Sequence, residues 1–160
     1  MSKWRMLLGN AWRRLKDIET DSVQCCVTSP PYFDQRDYGV EGQLGFNQTF
    51  DVYVDCLALV FDEVRRTLRD DGILWLNLGD GYTSGGRKTR AKDEKTPHRE
   101  SSVRAPTPDG MKPKDLMGVP WAVAVALRQR GWYLRQDVIW HKPNPMPSSV
   151  SDRCVSSHEH

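Results

Sequence analysis

No apolar run in this 160-residue chain approaches the ~20 residues that span a bilayer. The opening residues, Met1-Ser2-Lys3-Trp4-Arg5, lack the apolar stretch and small-residue cleavage site of a signal peptide, so a cytoplasmic setting with no membrane partner is expected. Cysteine is scarce. Cys25, Cys26, Cys56 and Cys154 include no CxxC pair, which argues against zinc or redox chemistry. They read instead as small apolar core residues of a reducing compartment. His98, His141, His158 and His160 form no ligand pattern with acids or cysteines, so no metal is expected. Charge of one sign is also lacking overall, the net being +2, but it is unevenly placed. Residues 84–114 carry nine Lys or Arg against four acids, a net of +5, which leaves −3 for the remainder.

What is present is most informative at Thr28-Ser29-Pro30-Pro31-Tyr32. It follows Val23-Gln24-Cys25-Cys26-Val27, an apolar run that reads as a buried strand. Two prolines fix two φ angles and remove two backbone donors, and each pushes its predecessor out of the helical region. The product is a stiff, extended corner that holds Ser29 and the Tyr32 ring in set positions. Its carbonyls have no helix or ladder to join and can accept from a ligand.

Around this corner the pattern is that of an α/β protein. Trp12 to Ile18 fits a helical turn or two, and residues 33–47 a glycine-bearing loop. From about Gln48 to Arg69, Phe50, Tyr53, Val54, Leu57, Phe61, Val64 and Leu68 recur at helical spacing, with Asn47 or Thr49 as cap and Gly72 as terminator. Ile73-Leu74-Trp75-Leu76-Asn77-Leu78 reads as a second buried strand ending at Gly79-Asp80-Gly81. Residues 82–113 are aperiodic and read as a flexible basic loop at about 83–113, either functional or a solvated, disordered insertion. A helix from about Val119 to Arg130, stopped by Gly131, precedes a third strand at residues 133–140. Trp75, Trp121 and Trp132 read as core or helix-packing residues. Strand, helix, strand, helix, strand predicts a largely parallel sheet, with ligands at the carboxyl ends of its strands. The corner and Gly79-Asp80 both lie there. Asp80 reads equally as a turn residue or a site acid.

Val27-Thr28-Ser29-Pro30-Pro31-Tyr32 resembles the catalytic motif of DNA amino-methyltransferases of the N4-cytosine type. The resemblance continues in order through Arg36-Asp37-Tyr38-Gly39, Leu74-Trp75-Leu76-Asn77-Leu78-Gly79-Asp80, Lys114-Asp115-Leu116 with Pro120-Trp121, Gly131-Trp132-Tyr133-Leu134-Arg135 and Ile139-Trp140-His141-Lys142-Pro143-Asn144. Only the loop of residues 84–112 falls outside it. The resemblance implies a Rossmann-like S-adenosylmethionine-dependent methyltransferase fold, present here in part. The family's Phe-x-Gly-x-Gly cofactor motif is absent, and in the permuted class, where the catalytic blocks come first, it lies downstream. Residues 1–160 thus resemble the catalytic, N-terminal half of such a domain, and His158-Glu159-His160 a family segment cut short rather than a zinc site.

The implied reaction is methyl transfer from S-adenosyl-L-methionine to the exocyclic N4 of cytosine in double-stranded DNA. The alternatives are adenine N6, or an inactive fragment. An exocyclic amine is a poor nucleophile because its lone pair is delocalised into the ring. Ser29 and the Pro30 carbonyl, in a corner stiffened by Pro31, can accept from that nitrogen and point the lone pair at the sulfonium methyl. Tyr32 can stack on the flipped base. Direct displacement needs no nucleophilic cysteine, and the lack of a Pro-Cys motif argues against carbon-5 methylation. By the same resemblance, Gly9, Asn10, Thr28 and Asp80 are cofactor-side candidates, Asn10 standing where Asp is common. Arg36, Trp140, Lys142 and Asn144 are candidates for DNA or target-base contact. A cognate restriction endonuclease is an expected partner.

Overall fold

A computed structural model of the chain describes residues 4–83, 106–145, 151–154 and 156–160. The basic segment at 84–105 therefore lies outside the described residues. The elements are α1 (Ala11–Leu15), β1 (Val23–Thr28), α2 (Phe50–Thr67), β2 (Leu68–Leu76), α3 (Val119–Gln129), β3 (Trp140–His141) and β4 (His158–Glu159). No helix among the described residues is long and apolar enough to cross a membrane.

β1, α2 and β2 form a parallel βαβ unit. α2 begins where Thr49, in extended conformation, accepts from Val52 N through its side chain. Its residues Phe50, Tyr53, Val54, Leu57, Phe61 and Val64 are all buried, as their spacing predicts. Gly72 does not end this helix. Leu68 already turns extended, and the last carbonyls are taken up by the turn leading into β1, with Asp21 N donating to Arg66 O and Ser22 N to Thr67 O. Gly72 sits instead in a bulge of β2. Between the pairs Val23–Leu68 and Cys25–Ile73, β1 advances two residues and β2 advances five. A Cβ at Gly72 would lie 2.8 Å from the Arg69 carbonyl oxygen, so the bulge requires glycine.

α2 and α3 cover one face of the β1–β2 pair, and Leu68, Val119, Val123 and Leu127 join the α2 residues in the core. The opposite face carries Val27, Ile73 and Trp75 at 78, 54 and 52 % exposure. Parallel strands are normally covered on both faces, and here one is bare. That bareness corrects two expectations. Trp75 is about half exposed, and no described cysteine is buried, Cys25 lying on the open side of β1; Trp121, on α3, is also about half exposed, its ring against His160.

The third strand expected at 133–140 is also corrected. Only Trp140 and His141 are paired, antiparallel to Glu159 and His158. Residues 132–138 run beside β2 across a groove of about 1260 Å³ and share no ladder with it. A strand exists only by its hydrogen-bonded neighbour, and across this groove there is none. The short antiparallel pair is tied to the end of β2 by His160, whose backbone N–H and C=O both bond Leu78.

Candidate active site

The corner is built from below by α2. Phe33, immediately after Tyr32, is 4 % exposed and packs edge-on against Phe50 and tilted against Tyr53. Tyr53 is fully buried, and its hydroxyl donates to the Pro31 carbonyl at 3.0 Å. Burial first, then the neighbouring Tyr32, hold the Tyr53 phenol well above its ordinary 10.0, so it remains a neutral donor. Gly45 closes the side. At φ +81 a Cβ there would stand 3.0 Å from the Tyr32 carbonyl oxygen and 3.1 Å from the Tyr53 ring. Gly79 backs the Tyr32 ring itself, where a Cβ would lie 2.8 Å from two ring carbons.

The corner's carbonyls divide by use. Thr28 O accepts from Asn77 N at 3.0 Å, Pro31 O from Tyr53, and Tyr32 O from Gln35 N at 3.5 Å. The Pro30 carbonyl carries no hydrogen bond among the described residues. Ser29 is exposed, and its hydroxyl donates to Tyr32 Oη at 3.1 Å.

Beyond Tyr32 lies a polar cluster that sequence reasoning missed. The Tyr32 hydroxyl meets Glu159 Oε2 at 2.9 Å and also bonds the Asn77 side chain. Lys142 Nζ pairs with the other oxygen of Glu159. Burial pushes the Glu159 carboxyl up, but Lys142, Tyr32 and Asn77 outweigh it and hold the group below the usual carboxylate range. Tyr32 is held above 10.0, first by burial and then by the Glu159 hydrogen bond and charge, against the opposing pull of Ser29 and Arg36. At neutral pH the cluster is therefore a neutral phenol between a hydroxyl and a carboxylate.

The remaining candidates fall into groups. Lys142 joins the corner through Glu159, with 40 % of its side chain still exposed. Trp140, on β3, is 65 % exposed and pairs with Glu159 through the backbone. Asn144 and Arg36 are exposed, and the Arg36 charge is felt by Tyr32. Asp80 is engaged structurally. Its carboxylate accepts from Gly81 N at 2.8 Å, Val119 N at 3.0 Å and Gly118 N at 3.1 Å. Gly118 precedes α3 with φ +67 and no side-chain cap of its own, so Asp80 caps α3 from a distance. Gly9 and Asn10 are exposed and open α1, the Asn10 side chain accepting from Arg13 N at 3.3 Å. The large groove beside β2 contains none of the corner residues.

Comparison with known proteins gives this arrangement a family. The chain is 55 % identical over 151 residues to Type II methyltransferase M.XycI of Xanthomonas campestris pv. cyanopsidis, covering 94 % of this chain and 50 % of the relative. It is 52 % identical over 156 residues to Type II methyltransferase M.SmaI of Serratia marcescens, covering 98 % and 53 %. The chain thus spans about half the length of these relatives. Among solved structures, PvuII DNA methyltransferase (cytosine-N4-specific) matches with TM-score 0.64 at 19 % identity, over 95 % of this chain and 45 % of that one. A Thermus thermophilus protein complexed with S-adenosyl-L-methionine matches with TM-score 0.60 at 24 % identity, over 95 % and 51 %. These likenesses show the fold, a Rossmann-like methyltransferase fold of which this chain carries part. Residues 23–160 match the N6/N4 family model described as DNA methylase, and with that match spanning β1 to β4 the chain belongs to the DNA methylase family.

Proposed function

We propose that the full-length protein methylates the exocyclic N4 of cytosine in double-stranded DNA, and that this chain supplies the amino-group side of the site. The observation that carries the reading is the corner. Ser29 commits its one proton to Tyr32, so its oxygen presents lone pairs outward, beside a Pro30 carbonyl with no hydrogen bond among the described residues. Two acceptors on a rigid frame match the two N–H groups of an exocyclic amine. They draw it towards a pyramidal geometry in which its lone pair can attack. Serine rather than aspartate at this position favours cytosine. An uncharged acceptor suits an amine whose proton leaves only as the new bond forms.

S-adenosyl-L-methionine supplies the electrophilic methyl group when bound. The donor set fits it. The cofactor carries ammonium and hydroxyl donors, and three of the four acceptor positions of the Asp80 carboxylate are spent on backbone, leaving one. We assign Gly9, Asn10, Thr28 and Asp80 to the cofactor side. The exposed Trp140, Arg36 and Asn144, with the basic residues of 84–114, are assigned to the DNA side, where cations on phosphates give affinity. Tyr32 holds the flipped base against the corner. The relatives are Type II methyltransferases by name, and a cognate restriction endonuclease is proposed on that ground.

The test is mass spectrometry of nucleosides from unmethylated DNA exposed to the full-length enzyme and S-adenosylmethionine. N4-methylcytosine is expected. N6-methyladenine alone overturns the base assignment, and no methylated nucleoside overturns the activity.

A further inference from the structure

Glu159 is separated from Tyr32 by 127 positions, yet the two side chains meet at 2.9 Å. The Glu159 side chain is 19 % exposed and that of Lys142 40 %. Hydrogen bonds have direction, and this cluster can be read donor by donor. Lys142 has only donors and no acceptor. Glu159, ionised, has only acceptors. Tyr32 has a single proton, facing Asn77 Oδ1 and Glu159 Oε2, and the Asn77 NH2 in turn donates to Glu159, so Asn77 presents its oxygen to the phenol only while Glu159 accepts. Ser29 Oγ then donates to Tyr32 Oη at 3.1 Å. Every arrow in the chain Ser29 → Tyr32 → Glu159 ← Lys142 is set by the carboxylate at its end.

Resting on the function proposed above, we infer that Glu159, held by Lys142, is a positioning residue that fixes the direction of this hydrogen-bond chain so that Ser29 faces the substrate amine with lone pairs only. Were the chain reversed, Tyr32 would donate to Ser29, and the Ser29 hydroxyl proton would point at an amine that itself offers protons. The amine would then meet a donor where it needs an acceptor.

The Glu159→Gln change is nearly isosteric and tests direction rather than bulk. Lys142 demands an acceptor, so the new carboxamide places its oxygen on Lys142 and its NH2 on Tyr32. That NH2 cannot accept from Asn77, whose carboxamide must turn its oxygen to the new NH2 and its own NH2 to the phenol, and with donors on that side the phenol proton turns back onto Ser29. In the full-length enzyme, E159Q is expected to lower kcat about 100-fold, the scale for losing one preorganised hydrogen-bonding group. The KM values for DNA and S-adenosylmethionine are expected to move no more than about threefold, since substrate binding is not what changes. The double variant Lys142→Met with Glu159→Gln frees the carboxamide to turn its oxygen to Tyr32, and is expected to recover about tenfold over E159Q alone, a non-additive rescue. E159Q at wild-type kcat, or a double variant no faster than E159Q, overturns the inference. A readout that needs no turnover is the titration of Tyr32 in the full-length wild type and E159Q carrying 13Cζ-tyrosine, assigned with Tyr32→Phe. The Glu159 hydrogen bond and charge both raise the Tyr32 pKa, so it is expected lower in E159Q, and an unchanged Tyr32 pKa overturns the inference even if the wild type methylates no DNA. A wild type without activity instead sinks the proposed function and leaves this titration as the judge of the hydrogen-bond chain.

Discussion

Replacing Gly79 by Ala is the sharpest perturbation of the corner, because it adds one methyl group and no charge. The new Cβ would stand 2.8 Å from Tyr32 Cδ2 and Cε2, whereas carbon atoms settle at about 3.5–4.0 Å, so the ring must retreat by about 0.7–1.2 Å. The ring has little slack. Its hydroxyl is bonded to Ser29 Oγ at 3.1 Å and Glu159 Oε2 at 2.9 Å. A displacement of that size takes at least one of these past the ~3.5 Å at which it ceases to be a hydrogen bond. Overpacking of this kind costs about 1–3 kcal/mol of stability. A misplacement of about 1 Å at a reacting centre costs on the order of 100-fold in rate. The assay is single-turnover methylation by the full-length protein, with thermal unfolding and cofactor affinity measured alongside. A slowed methyl-transfer step with cofactor affinity intact is expected. A G79A enzyme that methylates at the wild-type rate would refute the claim that Tyr32 is held against Gly79 for function.

Two further changes probe the frame. Asp80→Asn replaces one acceptor oxygen with a donor facing the backbone N–H groups at the start of α3, and is expected to destabilise by about 1.5–3 kcal/mol in denaturant unfolding, the range for hydrogen bonds to a charged group. An unchanged midpoint would show that Asp80 does not anchor α3. Tyr53→Phe leaves the Pro31 carbonyl unpaired and is expected to cost about 1–3 kcal/mol near neutral pH. Because the folded state holds the Tyr53 proton above 10.0, the stability it contributes is complete below that pH and is lost as pH rises towards the folded value. The stability gap between wild type and Y53F should therefore narrow above pH 10, and a gap that widens contradicts the assignment.

Much of this was legible in the residues. The helical spacing from Phe50 to Val64 gives α2 and its buried face, because a long amphipathic period has few other readings. The corner was visible because two prolines after an apolar run are a local constraint. What failed was non-local. Residues 133–139 have strand-like composition but no ladder neighbour among the described residues, and sequence pattern does not record neighbours. Trp75 and Cys25 were expected inside because a parallel strand is normally covered twice, and here one face is bare. Gly72 was read as a helix stop and Gly79 as the end of a strand. Their tasks are a bulge and a ring contact, set by what a Cβ would meet across the fold. Glu159 was read only as part of His158-Glu159-His160. No local signal ties it to Tyr32, and only the return of the chain past Leu78 brings the two together.

The central claim is that Ser29 Oγ, with its proton given to Tyr32, accepts from the substrate amine. The most direct measurement is the single-turnover rate of N4-methylcytosine formation by full-length Ser29→Ala beside wild type, with both substrates saturating. Loss of this acceptor should slow the chemical step by about 100-fold while cofactor and DNA affinities hold. A Ser29→Ala enzyme that forms N4-methylcytosine at the wild-type rate would contradict the account.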